Sequence, residues 1–143
     1  MDNLPDTEKS YWREFYPSQA VYPELLEDIA VDVAIVGAGI TGMTAAYLLK
    51  KSGFTVAVLD KHTVGGGTTG RTTGKVTSQH GLNYHGLQKR FDAKTARIYG
   101  EANQAAIEQI EKIVAAENMD CDWQRDDNYV FTADPKRAAQ FRQ

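Results

Sequence analysis

Gly37, Gly39 and Gly42 stand in a Gly-x-Gly-x-x-Gly arrangement, and Asp60 follows downstream. Each position has its own physical job. Gly37 permits a tight turn, Gly39 lacks a Cβ and lets the backbone approach a phosphate, and Gly42 allows a helix to pack close to a strand. Ile40 and Thr41 lie between them, where a helix start offers unpaired N–H groups and the positive end of its dipole to an anion. A carboxylate at Asp60 can accept both hydroxyls of an adenosine ribose and would repel a 2′-phosphate. Together these residues point to the pyrophosphate and ribose of a dinucleotide. The alternative is a glycine-rich turn in some other parallel α/β protein, with Asp60 a solvated carboxylate.

That chemistry needs elements to position it. Asp32 to Val36 is a short apolar run rich in β-branched residues, as in a buried parallel strand. A helix is predicted from Ile40 to about Ser52, with Met43, Ala46, Tyr47 and Leu49 at helical spacing and Gly53 as the residue that ends it. Phe54 to Leu59 reads as the second strand, closed by Asp60. The order strand, glycine turn, helix, strand, acid is an α/β reading: a Rossmann-like, FAD/NAD(P)-binding βαβ unit.

The next segment bears on which dinucleotide. Val64 to Ser78 is dense in glycine and threonine and carries Arg71 and Lys75. Backbone N–H and hydroxyl groups in such a loop can wrap phosphates and a polar ribityl chain. A flexible surface loop is the plainer reading of the same composition.

The glycine fingerprint with Asp60, followed by Gly67-Thr68-Thr69-Gly70-Arg71-Thr72-Thr73-Gly74-Lys75-Val76-Thr77-Ser78-Gln79-His80-Gly81, resembles FAD-dependent oxidoreductases of the D-amino-acid oxidase type. The likeness is closer to the bacterial branch whose members carry a C-terminal Rieske iron–sulfur domain. Ser10-Tyr11-Trp12, Tyr22-Pro23-Glu24-Leu25 and Asp120-Cys121-Asp122 also fit that branch. The resemblance implies FAD as cofactor. It implies Gly37, Gly39, Ile40, Thr41 and Gly42 at the pyrophosphate, and Asp60 with Lys61 at the adenosine ribose. Thr68, Thr69, Arg71, Thr72, Thr73 and Lys75 would run toward the diphosphate, ribityl chain and flavin edge. Two positions depart from the family: Asp60 stands where many members have Glu, and Gly74 where Ala is expected, which suggests a looser loop. Family members are also much longer. In them a later segment completes the FAD domain, and the substrate domain comes from further along the chain. The resemblance therefore implies a truncated, partial FAD-binding domain without substrate or Rieske domains. Its parent would oxidise a C–H bond next to an amine or hydroxyl and pass the electrons onward, and this chain alone would have little or no turnover. No catalytic residue is nominated. An NAD-binding module and a non-catalytic interaction protein on a nucleotide-binding fold are the competing readings.

The rest of the chain is organised around that unit. Residues 1–10 read as a disordered leader and 11–31 as an irregular arm with Trp12, Phe15 and Tyr16 inward. Residues 32–143 are the partial FAD-binding domain. Leu87 to Phe91 suggests a short helix. Ala93 to about Glu117 suggests a long one, N-capped by Asp92, with Ala96, Tyr99, Ala106 and Ile110 on its packed stripe. Cys121 to Arg125 and Asn128 to Thr132 alternate like a short β-hairpin turning at Asp126-Asp127-Asn128. Asp134 would cap a further helix. His80 sits just after the glycine–threonine loop, either near the flavin or hydrogen-bonded to backbone.

Charge and composition exclude several classes. Net charge is −3 with scattered basic residues, which argues against a nucleic-acid surface. No apolar run is long enough for a membrane span. The single cysteine, Cys121, excludes an internal disulfide and fits the cytoplasm. His62, His80 and His85 do not share ligand spacing with it, so no metal site is expected. An incomplete sheet would leave strand edges exposed, which favours self-association.

Overall fold

The computed structural model describes residues 10–15 and 20–134, and it divides into two compact units, residues 1–74 and 75–143. The expected leader, apart from Ser10, and the expected helix after Asp134 lie outside the described residues, as does Tyr16.

In the first unit, β1 (Val33–Val36) and β2 (Val56–Leu59) pair in parallel, with Val33 opposite Val56 and Val36 opposite Leu59. Parallel neighbours need a crossover, and α2 (Ile40–Lys51) supplies it. The register is locked at both ends. At the start, the Asp32 and Thr55 side chains each take the other's backbone N–H, at 2.9 and 2.8 Å, and the Thr55 hydroxyl donates to Asp32 at 2.6 Å. At the far end, the Gly37 N–H donates to the Leu59 carbonyl at 2.7 Å. Half-buried Ala45, Ala46 and Leu49 lie along α2, and Lys50 and Lys51 sit at its negative end, as the helix dipole favours. Among the described residues of this unit, Ala38 is the buried apolar one.

The arm is not irregular throughout: Tyr11–Phe15 forms a short helix, α1. Ser10 starts it, its carbonyl accepting the Glu14 N–H at 3.0 Å and its hydroxyl accepting the Arg13 N–H at 3.4 Å. Trp12 leans on the loop that follows β2 but stays 36% exposed, so the inward packing expected of Trp12 and Phe15 is not found. Phe15 stacks on Tyr11 at 4.6 Å and stays largely exposed.

In the second unit, α3 (Asn83–Arg90) and α4 (Ala93–Ala116) pack together. α3 begins a full turn before the sequence reading placed it, because Gly86 and polar neighbours mask a weak apolar stripe. Asp92 caps α4, its Oδ1 accepting the Thr95 N–H at 2.6 Å. The packed stripe of α4 runs through Ala96, Tyr99, Asn103, Ile107, Ile110 and Val114, while Ala106 faces solvent.

The β-hairpin does not form: residues 121–132 hold no strand. An isolated two-stranded hairpin is marginal on its own, and side-chain bonds pull this segment elsewhere. Trp123 Nε1 donates to Glu111 Oε1 at 3.2 Å, and the Arg125 guanidinium forks onto the same carboxylate on α4. Asn128 bonds Thr77 Oγ1 and the Lys75 ammonium, both at 2.8 Å. Asp122, with φ of 50°, bends out of extended geometry.

Candidate functional site

The exit from β1 is a turn that only glycine adopts without strain: Gly37 has φ of 105°. Five residues on, a Cβ at Gly42 would run into the Gly37 carbonyl, so the first turn of α2 can lie against the strand end only without a side chain there. Gly39 is the N-cap of α2 and supplies no side-chain bond to it. The amides of Gly39, Thr41 and Gly42 have no acceptor among the described residues. Unpaired amides on a helix tip are the donor set that an anion takes.

The Ile40 amide is different. It donates to Thr69 Oγ1 at 3.0 Å. Thr69 belongs to a 3-10 turn, Thr68–Arg71, so the threonine loop lies against the helix tip and caps it from outside the helix. A Cβ on Gly39 would sit 3.2 Å from the same hydroxyl oxygen. Having accepted from Ile40, the Thr69 hydroxyl keeps its own proton to donate. The loop is further tied to the turn by the Gly65 N–H, which donates to the Ala38 carbonyl at 2.9 Å.

Asp60 stands across from this turn. Its Oδ2 accepts the Ala38 N–H at 2.7 Å and its Oδ1 the His62 N–H at 2.8 Å. These two backbone donors, Ala38 first, hold its carboxyl below the ordinary aspartate value. Asp60 thus closes the glycine turn from the end of β2, and each oxygen keeps a further lone pair for a hydroxyl donor.

The structure brings Gly37, Gly39, Ile40, Thr41, Gly42, Asp60 and Thr69 around one turn. Lys61 is exposed beside Asp60. Arg71 turns back on its own loop, its Nη1 donating to the Gly66 carbonyl at 3.0 Å and approaching that of Gly67 at 3.4 Å. Thr68, Thr72 and Thr73 are exposed along the loop. Lys75 belongs to the second unit, where its ammonium bonds Asn128. The His80 ring bonds a side chain rather than backbone: its Nδ1 meets the Tyr99 hydroxyl at 2.9 Å.

Sequence reasoning missed two residues. Ser10 donates its hydroxyl to the Gly70 carbonyl, and Trp12 Nε1 donates to the Thr72 carbonyl at 2.6 Å. Their only signal was the Ser-Tyr-Trp run itself. The looser loop expected at Gly74 is also corrected. Gly74 has φ of 76°, and a Cβ there would sit 2.9 Å from Trp12 Cζ2, so glycine is what this close approach demands.

The chain belongs to the FAD-dependent oxidoreductase family (DAO), which it matches over residues 32–143. FAD is the cofactor of that family. Among its relatives is YhfW of Bacillus subtilis (strain 168), which carries the name of a Rieske 2Fe-2S iron-sulfur protein. It is 43% identical over 125 residues, covering 87% of this chain and 24% of YhfW. Gamma-glutamylputrescine oxidoreductase of Escherichia coli (strain K12) is 30% identical over 129 residues, 90% of this chain and 30% of the enzyme. The thiamine thiazole synthase of Pyrococcus horikoshii is 35% identical over 85 residues, 51% of this chain and 34% of the synthase. The chain therefore spans about a quarter to a third of the length of these relatives. No solved structure matches it.

Proposed function

We propose that this chain supplies the adenosine-diphosphate end of the FAD site in a flavin-dependent oxidoreductase with Rossmann-like nucleotide binding. The observation that carries the reading is the helix tip: the unpaired amides of Gly39, Thr41 and Gly42, the glycine turn beneath them and the Thr69 hydroxyl beside them. Those amides and that hydroxyl would hold the diphosphate, with Gly37 and Ile40 shaping the turn. The remaining lone pairs of Asp60 would accept from the adenosine ribose, with Lys61 beside it. Thr68, Arg71, Thr72 and Thr73 would follow the chain toward the ribityl group. When bound, FAD supplies a two-electron acceptor for a hydride leaving a carbon next to an amine or hydroxyl. The likeness to gamma-glutamylputrescine oxidoreductase supports an amine, and the likeness to a Rieske protein supports passing the electrons onward. This chain's own share is to hold and orient the cofactor. Taken by itself, the chain is expected to bind FAD with little or no turnover.

The test is a titration of the purified chain with FAD and with NAD, followed by flavin fluorescence and absorbance. FAD binding in preference to NAD is expected, and Gly39→Val should abolish it, because its side chain would occupy the phosphate approach and press on Thr69. Binding of NAD alone would make the chain a nicotinamide module. Binding of neither would leave an interaction protein on a nucleotide fold. Amine-dependent bleaching of a bound flavin would overturn the absence of turnover.

A further inference from the structure

The N-terminal helix touches the threonine loop at three separate points, and all three lie within the first unit. The buried Ser10 hydroxyl donates to the Gly70 carbonyl. The Trp12 indole N–H donates to the Thr72 carbonyl at 2.6 Å. The Trp12 ring also lies over Gly74, whose positive φ and missing Cβ leave room for it. The first contact falls inside the 3-10 turn that presents Thr69 to the tip of α2, and the second falls on Thr72, the residue that ends that turn. Carbonyl acceptors are fixed points of a backbone. Two side chains that take one each, Ser10 at Gly70 and Trp12 at Thr72, restrict the dihedral angles of Arg71 and of the turn before it. Glycine- and threonine-rich loops have many accessible conformations, and holding one of them costs entropy that must be met before a ligand binds.

From these contacts we propose that Ser10 and Trp12 are positioning residues for the cofactor: α1 is a strap that holds the 68–74 loop in the conformation in which Thr69 caps α2 and faces the diphosphate. The proposal rests on the FAD reading of the glycine turn and extends it to residues 60 positions away in sequence. The strap touches no part of the phosphate path itself. It acts by keeping the loop ordered before the ligand arrives, so its loss weakens binding and exposes the loop, while the glycine turn stays intact. Trp12 contributes through its N–H and through its ring, and these two contributions separate by substitution. Trp12→Phe keeps an aromatic face for Gly74 and removes only the donor.

The experiment uses the full chain in four forms: unaltered, Trp12→Phe, Trp12→Ala and Ser10→Ala. Two readouts are taken: FAD affinity by flavin fluorescence, and the rate of tryptic cleavage at Arg71 and Lys75 without FAD, compared with cleavage at Lys112 and Arg125. Loss of one hydrogen bond predicts about a three- to tenfold weaker FAD affinity for Trp12→Phe and Ser10→Ala, with a larger loss for Trp12→Ala. Cleavage in the loop should accelerate by a similar factor while the two distant sites keep their rates. Acceleration at all sites alike would mean general destabilisation and would overturn the strap. So would loop cleavage at the unaltered rate, or a loosened loop with unchanged FAD affinity. If the unaltered chain takes up no FAD, the functional reading fails by itself, and the selective loop cleavage alone decides whether α1 holds the loop. Should Trp12→Ala not fold, Trp12→Phe and Ser10→Ala carry the same comparison.

Discussion

A methyl group added at Gly42 and one added at Gly86 should have opposite effects. At Gly42 it collides with the Gly37 carbonyl, and a strand end cannot move aside without breaking the Gly37–Leu59 bond. Gly42→Ala is therefore expected to cost about 2 kcal/mol or more of stability, in the range of overpacking in tight sites. At Gly86, inside α3, nothing lies within 4 Å of the new atom. Gly86→Ala should stabilise by about 0.5–1 kcal/mol through helix propensity alone. Urea unfolding of the two variants side by side checks the pair. Asp60 gives a pH-dependent prediction. Its carboxyl sits below its ordinary value because the ionised form accepts two backbone amides. For a group depressed on folding, the stabilisation is present above its unfolded pKa and is lost as pH falls through the lower folded one. Asp60→Asn should thus be less stable than the unaltered chain at pH 7. The difference should shrink below about pH 4 as the aspartate itself takes up a proton. Unfolding curves at pH 7, 5, 4 and 3 would show the two converging, and a gap of constant size would remove Asp60 as the clamp of the turn. Subtracting the variant is essential, because Asp32, Asp92 and Glu111 are depressed in the same direction.

Among the elements, α4 was the most legible from sequence and the segment after it the least. α4 announces itself by a long apolar period and by an aspartate placed three residues before the amide it caps. Asp92→Ala should fray its first turn, read as a small loss of helicity by circular dichroism and faster amide exchange at Thr95. The segment 121–132 alternates in the way a hairpin does, yet alternation reports only that side chains go to two sides. Which partners they find there is a separate matter. Trp123 and Arg125 find Glu111 on a helix, and Asn128 finds Thr77 and Lys75. The Arg125–Glu111 pair is well formed but exposed on both sides, so Glu111→Gln should loosen residues 121–128 locally with little change in overall stability. Proteolysis in that segment, set against the thermal midpoint, separates the two effects. Five residues are too few for a periodic signal, which is why α1 is not legible as a helix from sequence alone. It forms because the Ser10 backbone and hydroxyl satisfy its first turn.

For the whole molecule, the first unit presents a two-stranded sheet with no further strand on either edge among the described residues. Val36 at the end of β1 is 88% exposed, and Ile40, which follows the glycine turn, is 61% exposed. Parallel strands with an unpaired outer edge and apolar ends favour pairing with another chain. The isolated chain is accordingly expected to self-associate: light scattering should report a dimer or larger species, and Val36→Lys should shift it toward monomer. A monodisperse monomer of the unaltered chain would count against the idea. Among the described residues, no helix is long and apolar enough to cross a membrane.

What could be read from sequence alone is what depends on near neighbours: the parallel βαβ order, the glycine turn, the limits of α2, the cap of α4 and membership of an FAD-binding family. Backbone sterics and helical period act over a few residues, and residue type along the chain determines them. The partners of Asp60, Thr69, Ser10 and Trp12 were settled only by the tertiary structure. Those bonds join residues 22, 29 and 60 positions apart. Any aspartate, serine, threonine or tryptophan offers the same donors or acceptors wherever it stands, so chemistry alone cannot choose among the carbonyls and amides available. The path of the backbone chooses, by bringing one acceptor within 3 Å and leaving the others out of reach.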